Sequence, residues 1–337
     1  QAARYIHTSN YFIQEPQLQL AEAMTKASGY TKVFFGNSGT EVIEGAIKLA
    51  RKWGSLRGKT ELVAFSQAFH GRTMGALSLM DRPNHRNGFG PFLENCHNIE
   101  FNNVATLQAT VSDRTAAVVL EFIQGEGGVR PASLEFVRML KDLQAKHGFL
   151  VIADEIQSGL GRTGKLFGFQ HYDIAPDVVV VAKPLGGGLP LGAILGGPRV
   201  VDVFEPGNHG TTFGGNPVAC AAGNVVLQEI INGGLMQNAS RMGEKLQSEL
   251  QSIQKEYPAL VREVRGMGLM VGMELTIPYD GVVGSMRDLG VLVNGTAERV
   301  LRFVPPLIIG EEHIQEACVT LRQVLSAIEV PQIAALR

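Results

Sequence analysis

The sequence predicts an α/β fold with a mostly parallel sheet and helices on both faces. Three observations predict it. Short apolar runs recur: ELVAF (Glu61 to Phe65), AAVVLEFI (Ala116 to Ile123), FLVIADEI (Phe149 to Ile156) and DVVVVAK (Asp177 to Lys183). Unbroken runs of that length suit strands buried on both faces. Helical patterns separate them from about Lys32 to Leu195, the alternation that builds parallel sheets. The polar residues of two runs sit at their carboxyl ends, where open α/β sheets place ligands.

The elements follow in order. Asn37, Ser38, Gly39 and Thr40 lead into a helix with apolar residues at Val42, Ile43, Ala46, Ile47, Leu49 and Ala50. Ser38 with Glu41 fits a capping box. After the four strands, a helix from about Pro217 to Ile231 links to a smaller α+β part. There VREVRGMGLMVGMEL reads as paired strands, LGVLVN and VLRFVPPL as further strands, and EEHIQEACVTLRQVLSAI as a closing helix. In the helix from Ser240 to Tyr257, Met242, Leu246, Leu250 and Ile253 recur at helical spacing and form a core stripe. GRTGK (Gly161 to Lys165) lacks the spacing of a phosphate loop and reads as a turn.

Composition narrows the function. At 337 residues the chain exceeds one typical domain and can bury a large core. The net charge of −2 gives no reason to expect nucleic acid. No apolar run reaches the ~18 residues of a membrane span. Cys96, Cys220 and Cys318 stand alone without metal-ligand spacing, which suits a reducing cytosol and predicts no metal site.

The chemistry is carried by three places. Lys183 ends the valine strand and is followed by Gly186, Gly187 and Gly188. A desolvated lysine is a neutral nucleophile that can form a Schiff base with a carbonyl. The glycines would let backbone approach a bulky ligand. Asp154, with Glu155 and Gln157, ends the preceding strand; a carboxylate there can pair with a protonated pyridine nitrogen. The helix start at Ser38, Gly39 and Thr40 offers free N–H groups and a positive dipole end to a phosphate. Aldehyde, ring nitrogen and phosphate are the three handles of pyridoxal 5′-phosphate.

With these residues in place, the chain resembles the class III aminotransferases, the acetylornithine and ornithine aminotransferase family of the pyridoxal-phosphate fold type I. The matches run in order: HTSNYF from His7, FFGNSGTE from Phe34, FHGRT from Phe69, EFIQGEGG from Glu121 and ADEIQSGLGRTG from Ala153. AKPLGGGLPLGA from Ala182, HGTTFGGNP from His209, RGMGLMVGMEL from Arg265 and LRFVPPLII from Leu301 complete them. The resemblance implies three parts: 1–30 at the substrate entrance, 31–230 as a large cofactor-binding domain, and 231–337 as a small C-terminal domain.

The resemblance also implies roles. Lys183 would carry the cofactor and act as general acid and base. Asp154 would pair with the ring nitrogen, Gln157 would reach the ring's 3-hydroxyl oxygen, and Phe69 would stack on the ring. Ser38, Gly39 and Thr40 would bind the phosphate. Thr212 would reach the phosphate of a neighbouring subunit, making a homodimer part of the site. His70 would line the cofactor pocket, with a structural hydrogen bond as the competing reading. Arg72 would take a substrate carboxylate, as a guanidinium fork suits. Arg302 would pair with Glu126 as a switch, closed for an ω-amino substrate and open for a second carboxylate. A salt bridge without a substrate role is the competing reading for either arginine. Asn10 or Tyr11 would stand at the substrate mouth.

Three departures from the family pattern stand out. The chain begins just before HTSNYF, where relatives carry several dozen more residues, so truncation or a disordered segment is expected. Val42 and Ile43 replace a more usual Ala-Asn. Pro184 follows Lys183 and biases it toward an extended conformation. The expected reaction moves a terminal amino group from a diamino acid, N-acetylornithine first, to 2-oxoglutarate. Gly127 in GEGG leans toward that donor. Ornithine, succinylated diamino acids, lysine precursors and 4-aminobutyrate remain open, as does a glutamate-1-semialdehyde-type aminomutase. A non-catalytic protein on this scaffold would be expected to lack Lys183 or Asp154.

Overall fold

The structure is a computed structural model and describes residues 1–328; the last part of the expected segment 231–337 lies outside them. The large sheet is built from β1 (Lys32–Gly36), β2 (Glu61–Phe65), β3 (Cys96–Ile99) and β4 (Thr115–Leu120). A short hairpin, β5 (Ile123–Gln124) with β6 (Arg130–Pro131), stands apart. β7 (Leu150–Asp154), β8 (Val178–Val181) and β9 (Gly192–Gly196) complete the sheet. Its order is β1-β9-β8-β7-β4-β2-β3. The pairs from β3 across to β8 are parallel, and β9 runs antiparallel to both β8 and β1.

Strand alternation sorts the core onto two faces. Val63, Phe65, Val118, Leu120, Val151, Ala153, Val179 and Val181 join one cluster. It is covered by α1 (Glu15–Ser28), α5 (Val104–Thr110), α6 (Leu134–His147) and α7 (Pro217–Asn232). Leu62, Ala64, Ala117, Val119, Leu150, Ile152, Val178 and Val180 face the other way, under α2 (Gly39–Ser55). Two further helices, α3 (Met74–Ser78) and α4 (Pro83–Arg86), lie between β2 and β3 in sequence.

A second sheet has the order β10-β11-β13-β12 and is antiparallel throughout: β10 (Val261–Met267), β11 (Met270–Leu275), β12 (Asn294–Thr296) and β13 (Val300–Phe303). It shares a third core with α8 (Leu235–Glu256), α9 (Asp280–Asp288) and α10 (Glu311–Ser326). The Met242, Leu246, Leu250 and Ile253 stripe is buried there. LGVLVN departs from expectation: only Asn294 enters a strand, and Leu292 points outward at 85% exposure. Among the described residues no single helix is long and apolar enough to cross a membrane.

Candidate active site

The carboxyl ends of β2, β4, β7 and β8 open toward one region, because parallel strands finish on the same side. β7 ends at Asp154, which is 3% exposed. Its Oδ1 accepts from the Ile156 N–H at 3.1 Å and its Oδ2 lies 2.7 Å from His70 Nδ1. Burial alone would lower the His70 pKa, but the hydrogen bond and charge of Asp154, with the charge of Glu121, raise it above the ordinary value. His70 thus sits behind Asp154, fully closed to solvent, and its Nε2 is buried without a partner.

Ser38 caps α2 as expected, its Oγ accepting from the Glu41 N–H at 3.3 Å. The reciprocal half of the capping box is displaced by one residue. Glu41 Oε2 accepts from the Asn37 N–H at 2.7 Å and from Asn37 Nδ2 at 2.9 Å. A Cβ on Gly39 would stand 3.0 Å from Ile156 Cδ1, so the helix start packs on the turn after Asp154. Thr40 Oγ1 accepts from the Arg72 N–H at 3.2 Å and lies 3.3 Å from Thr73 Oγ1. Gly71 must lack a side chain, since a Cβ there would overlap Thr40. FHGRT and the start of α2 are therefore locked together. The Arg72 guanidinium stands 5.5 Å from the Phe69 ring centroid and is exposed.

β4 is followed directly by Glu121, which sequence reasoning left without a role. It is 6% exposed. Its Oε1 accepts from the Phe69 N–H and its Oε2 from the Gly125 N–H, each at 2.9 Å. Burial, then the charge of Asp154, pushes its pKa up to about 7 against the pull of His70 and these two donors. The signal in the sequence was the one that exposed Asp154, a carboxylate at the carboxyl end of a buried strand.

Lys183 follows β8 and lines a cavity of about 340 Å³ with Gln157, Arg162, Pro184, Arg302 and Leu307. It is exposed, so the burial expected of this amine is not observed. The glycines after it shape a turn: Gly187 and Gly188 have φ of +60° and +105°, which favour glycine. Arg162 of the GRTGK turn donates Nη1 to the Leu269 carbonyl at 3.2 Å and to the Pro305 carbonyl, and burial pushes its pKa down to about 10.

Arg302 on β13 and Glu126 meet across 176 positions of sequence, Nη1 to Oε1 at 2.6 Å. Arg302 Nη1 also reaches Gln157 Oε1 at 3.1 Å, and Nη2 donates to Asn294 Oδ1 at 2.7 Å. Burial would raise the Glu126 pKa, but Arg302, then Arg82 and Lys183, bring it below the usual carboxylate value. The backbone around Glu126 is pinned. Its carbonyl accepts from Arg82 Nη2 and, at 2.7 Å, from Thr296 Oγ1. Arg265 donates to the Gly128 carbonyl at 2.7 Å and to that of Val129 at 3.2 Å. Val129 holds φ of +51°, an uncommon conformation for a β-branched residue.

Asn10, Tyr11 and Thr212 do not line the Lys183 cavity. Asn10 and Tyr11 line a separate groove with Phe34, His209 and Thr211, and Asn10 Nδ2 donates to the Thr211 carbonyl at 2.6 Å. Thr212 is exposed beside them.

A family model described as "Aminotransferase class-III" matches residues 1–325. The chain belongs to the class III aminotransferases. It is 44% identical over 332 residues to an acetylornithine aminotransferase of Caldanaerobacter subterraneus, covering 97% of this chain and 84% of that protein. It is 41% identical over 326 residues to one of Methanothermobacter thermautotrophicus, covering 97% and 83%. Among solved structures, the ornithine aminotransferase of Toxoplasma gondii superposes with a TM-score of 0.92 at 32% identity, covering 97% of this chain and 80% of that one. The N-acetylornithine aminotransferase of Stenotrophomonas maltophilia gives 0.82 at 37%, covering 97% and 83%. A further structure of the Toxoplasma enzyme carries pyridoxal phosphate at partial occupancy in its active site.

This class III aminotransferase is a pyridoxal-phosphate enzyme with the fold of type I. Its own residues fit that cofactor. A buried carboxylate, a helix start and an aromatic side chain lie on segments locked to one another through Ile156, Thr40 and Glu121, and the amine follows β8, which pairs with the carboxylate's strand β7. Acidic side chains at the strand ends could also suggest a metal, but no group of three or more metal-binding side chains occurs among the described residues.

Proposed function

We propose that this enzyme moves the terminal amino group of N-acetylornithine to 2-oxoglutarate, giving a semialdehyde and glutamate. The observation that carries the reading is the 2.6 Å pairing of Glu126 with Arg302, which lines the Lys183 cavity. Paired, the two cancel, and the site suits an ω-amino substrate without a second carboxylate. With Glu126 turned away, the guanidinium is free for the distal carboxylate of a dicarboxylic partner. The relatives' printed names and Gly127 support N-acetylornithine over the other donors.

Bound pyridoxal phosphate supplies a sink for the electrons left when the substrate C–H bond breaks. Lys183 Nζ would take that proton and return it, the general acid–base part of the reaction. Asp154 would hold the ring nitrogen protonated, with His70 holding Asp154. Phe69 would cover the ring face, Gln157 would meet the 3-hydroxyl oxygen, and Ser38, Gly39 and Thr40 would bind the phosphate. Arg72 would bind a substrate carboxylate in both half-reactions. We further propose a cytoplasmic homodimer in which Thr212 completes the partner's phosphate site and Asn10 and Tyr11 stand at the partner's substrate mouth. Residues 31–230 and 231–328 would act as its large and small domains.

A donor panel with 2-oxoglutarate as acceptor tests the assignment. N-acetylornithine should give the highest kcat/KM among N-acetylornithine, N-succinylornithine, ornithine and 4-aminobutyrate. A higher value for another donor would overturn the choice, and amino migration within one substrate without 2-oxoglutarate would point to an aminomutase.

A further inference from the structure

Arg302 occupies a strand whose two neighbours offer it very different things. Across β11 it faces Gly272, and across β12 it faces Asn294. Residues directly opposed in an antiparallel pair project to the same face. A Cβ on Gly272 would come within 2.9 Å of Val129 Cβ, so that side is filled by Val129 and gives the guanidinium no polar partner. The other side gives it the Asn294 amide oxygen at 2.7 Å.

The acceptors on Arg302 divide by charge. Glu126 is the charged one; Gln157 and Asn294 are neutral amides. The guanidinium Nε is buried and unpartnered, and the side chain is 10% exposed. A neutral acceptor fixes the plane of the fork without cancelling its charge. A carboxylate in the same place would cancel it permanently, and an apolar group would leave Nη2 without a fixed acceptor. Bidentate recognition needs a fork that is both fixed and charged.

We propose that Asn294 is a positioning and specificity-determining residue for the acceptor half of the reaction. It holds the Arg302 guanidinium in one orientation through both half-reactions and leaves its charge available to the distal carboxylate of the dicarboxylic oxo acid. This rests on the reading of Glu126 and Arg302 as a switch. Because Gln157 and Asn294 grip the guanidinium independently of Glu126, the arginine stays in place when Glu126 leaves, and only one partner of the pair has to move.

Asn294 is exposed on the edge strand β12, so its replacement should leave the fold intact. The test is single-turnover kinetics of each half-reaction with the cofactor-loaded wild type, N294D, N294A and E126A. N294D should raise the half-saturating 2-oxoglutarate concentration about tenfold or more, because the added carboxylate competes for the same fork. N294A should raise it by a smaller factor, through lost orientation. In both, the N-acetylornithine half-reaction should stay within about twofold of wild type. Unchanged 2-oxoglutarate saturation in either variant, or equal slowing of the two halves, would overturn the role of Asn294. The E126A arm separates this from the switch itself. If E126A fails to shift donor preference toward glutamate, the switch reading falls; if E126A shifts it while N294D leaves acceptor saturation unchanged, only the role of Asn294 falls.

Discussion

His70 Nδ1 lies 2.7 Å from Asp154 Oδ2, and neither side chain is accessible to solvent beyond 2%. Asp154 therefore does not choose its own orientation. It is set from behind by an imidazole and from the side by the Ile156 N–H. That arrangement separates charge from position, and the two can be tested apart.

Asp154→Asn keeps the shape and removes the charge. Turnover should fall on the order of 10² or more, the scale of one catalytic electrostatic or acid–base element. His70→Ala keeps the charge and removes one of two positioning contacts, so the loss should be about tenfold, the worth of one charge-assisted hydrogen bond. Steady-state kcat/KM of both variants decides this. A His70→Ala loss as deep as that of Asp154→Asn would mean that the imidazole does more than position.

The four buried strands were legible because an unbroken apolar run has few other homes. Their parallel pairing followed from the alternation with helices. The direction of β9 could not be read, since nothing in GAILG says that it runs backward. LGVLVN misled because an apolar run reads as a strand, yet the strand begins only at Asn294 and Leu292 is exposed. Lys183 and Asp154 could be read from position at strand ends. Glu126 and Arg302 could not be paired from residues alone, since 176 positions separate them; only the family resemblance suggested it. Glu121 was hidden inside a motif whose glycines drew the attention.

The two arginines assigned to substrate should behave differently. Arg72→Ala should slow both half-reactions, whereas Arg302→Ala should slow chiefly the 2-oxoglutarate half. Loss of a charge-assisted bidentate contact costs roughly 1.5–3 kcal/mol, about ten- to a hundredfold. Stopped-flow traces of each half separate the cases, and equal slowing of both by Arg302→Ala would remove the basis for a switch.

The N-terminal segment exposes Tyr11 at 95%, Phe12 at 66% and Ile13 at 89%, near Phe213 at 58%. An apolar surface of this kind fits a second copy of the chain. The protein should be at least dimeric by light scattering, and pyridoxal phosphate should raise its melting temperature by mass action. Ile13→Asp should weaken both assembly and cofactor binding. A fully active monomer would be incompatible with the shared site.

Glu155 supplies a pH test outside the chemistry. It is 1% exposed and accepts from Ser158 Oγ, the Gly168 N–H and the Phe169 N–H. Burial outweighs these donors and pushes its pKa from 4.5 up to about 7. A raised folded-state pKa means that its stabilising contribution is complete below about 4.5 and is lost as pH rises through about 7. Between these limits wild type should lose stability relative to Glu155→Gln, on the order of 1–3 kcal/mol. Urea midpoints at several pH values provide the check; parallel profiles would show that Glu155 titrates normally.

The pinning of the backbone around Glu126 has a kinetic meaning. Glu121, Arg82, Thr296 and Arg265 hold the main chain on both sides of this residue, and its side chain can turn about its own torsions while the main chain stays held. Side-chain torsions relax in picoseconds to nanoseconds, whereas loop rearrangements take up to microseconds. Alternation between two unlike substrates would then need no main-chain rearrangement at Glu126, and this residue would add no slow step of its own to turnover.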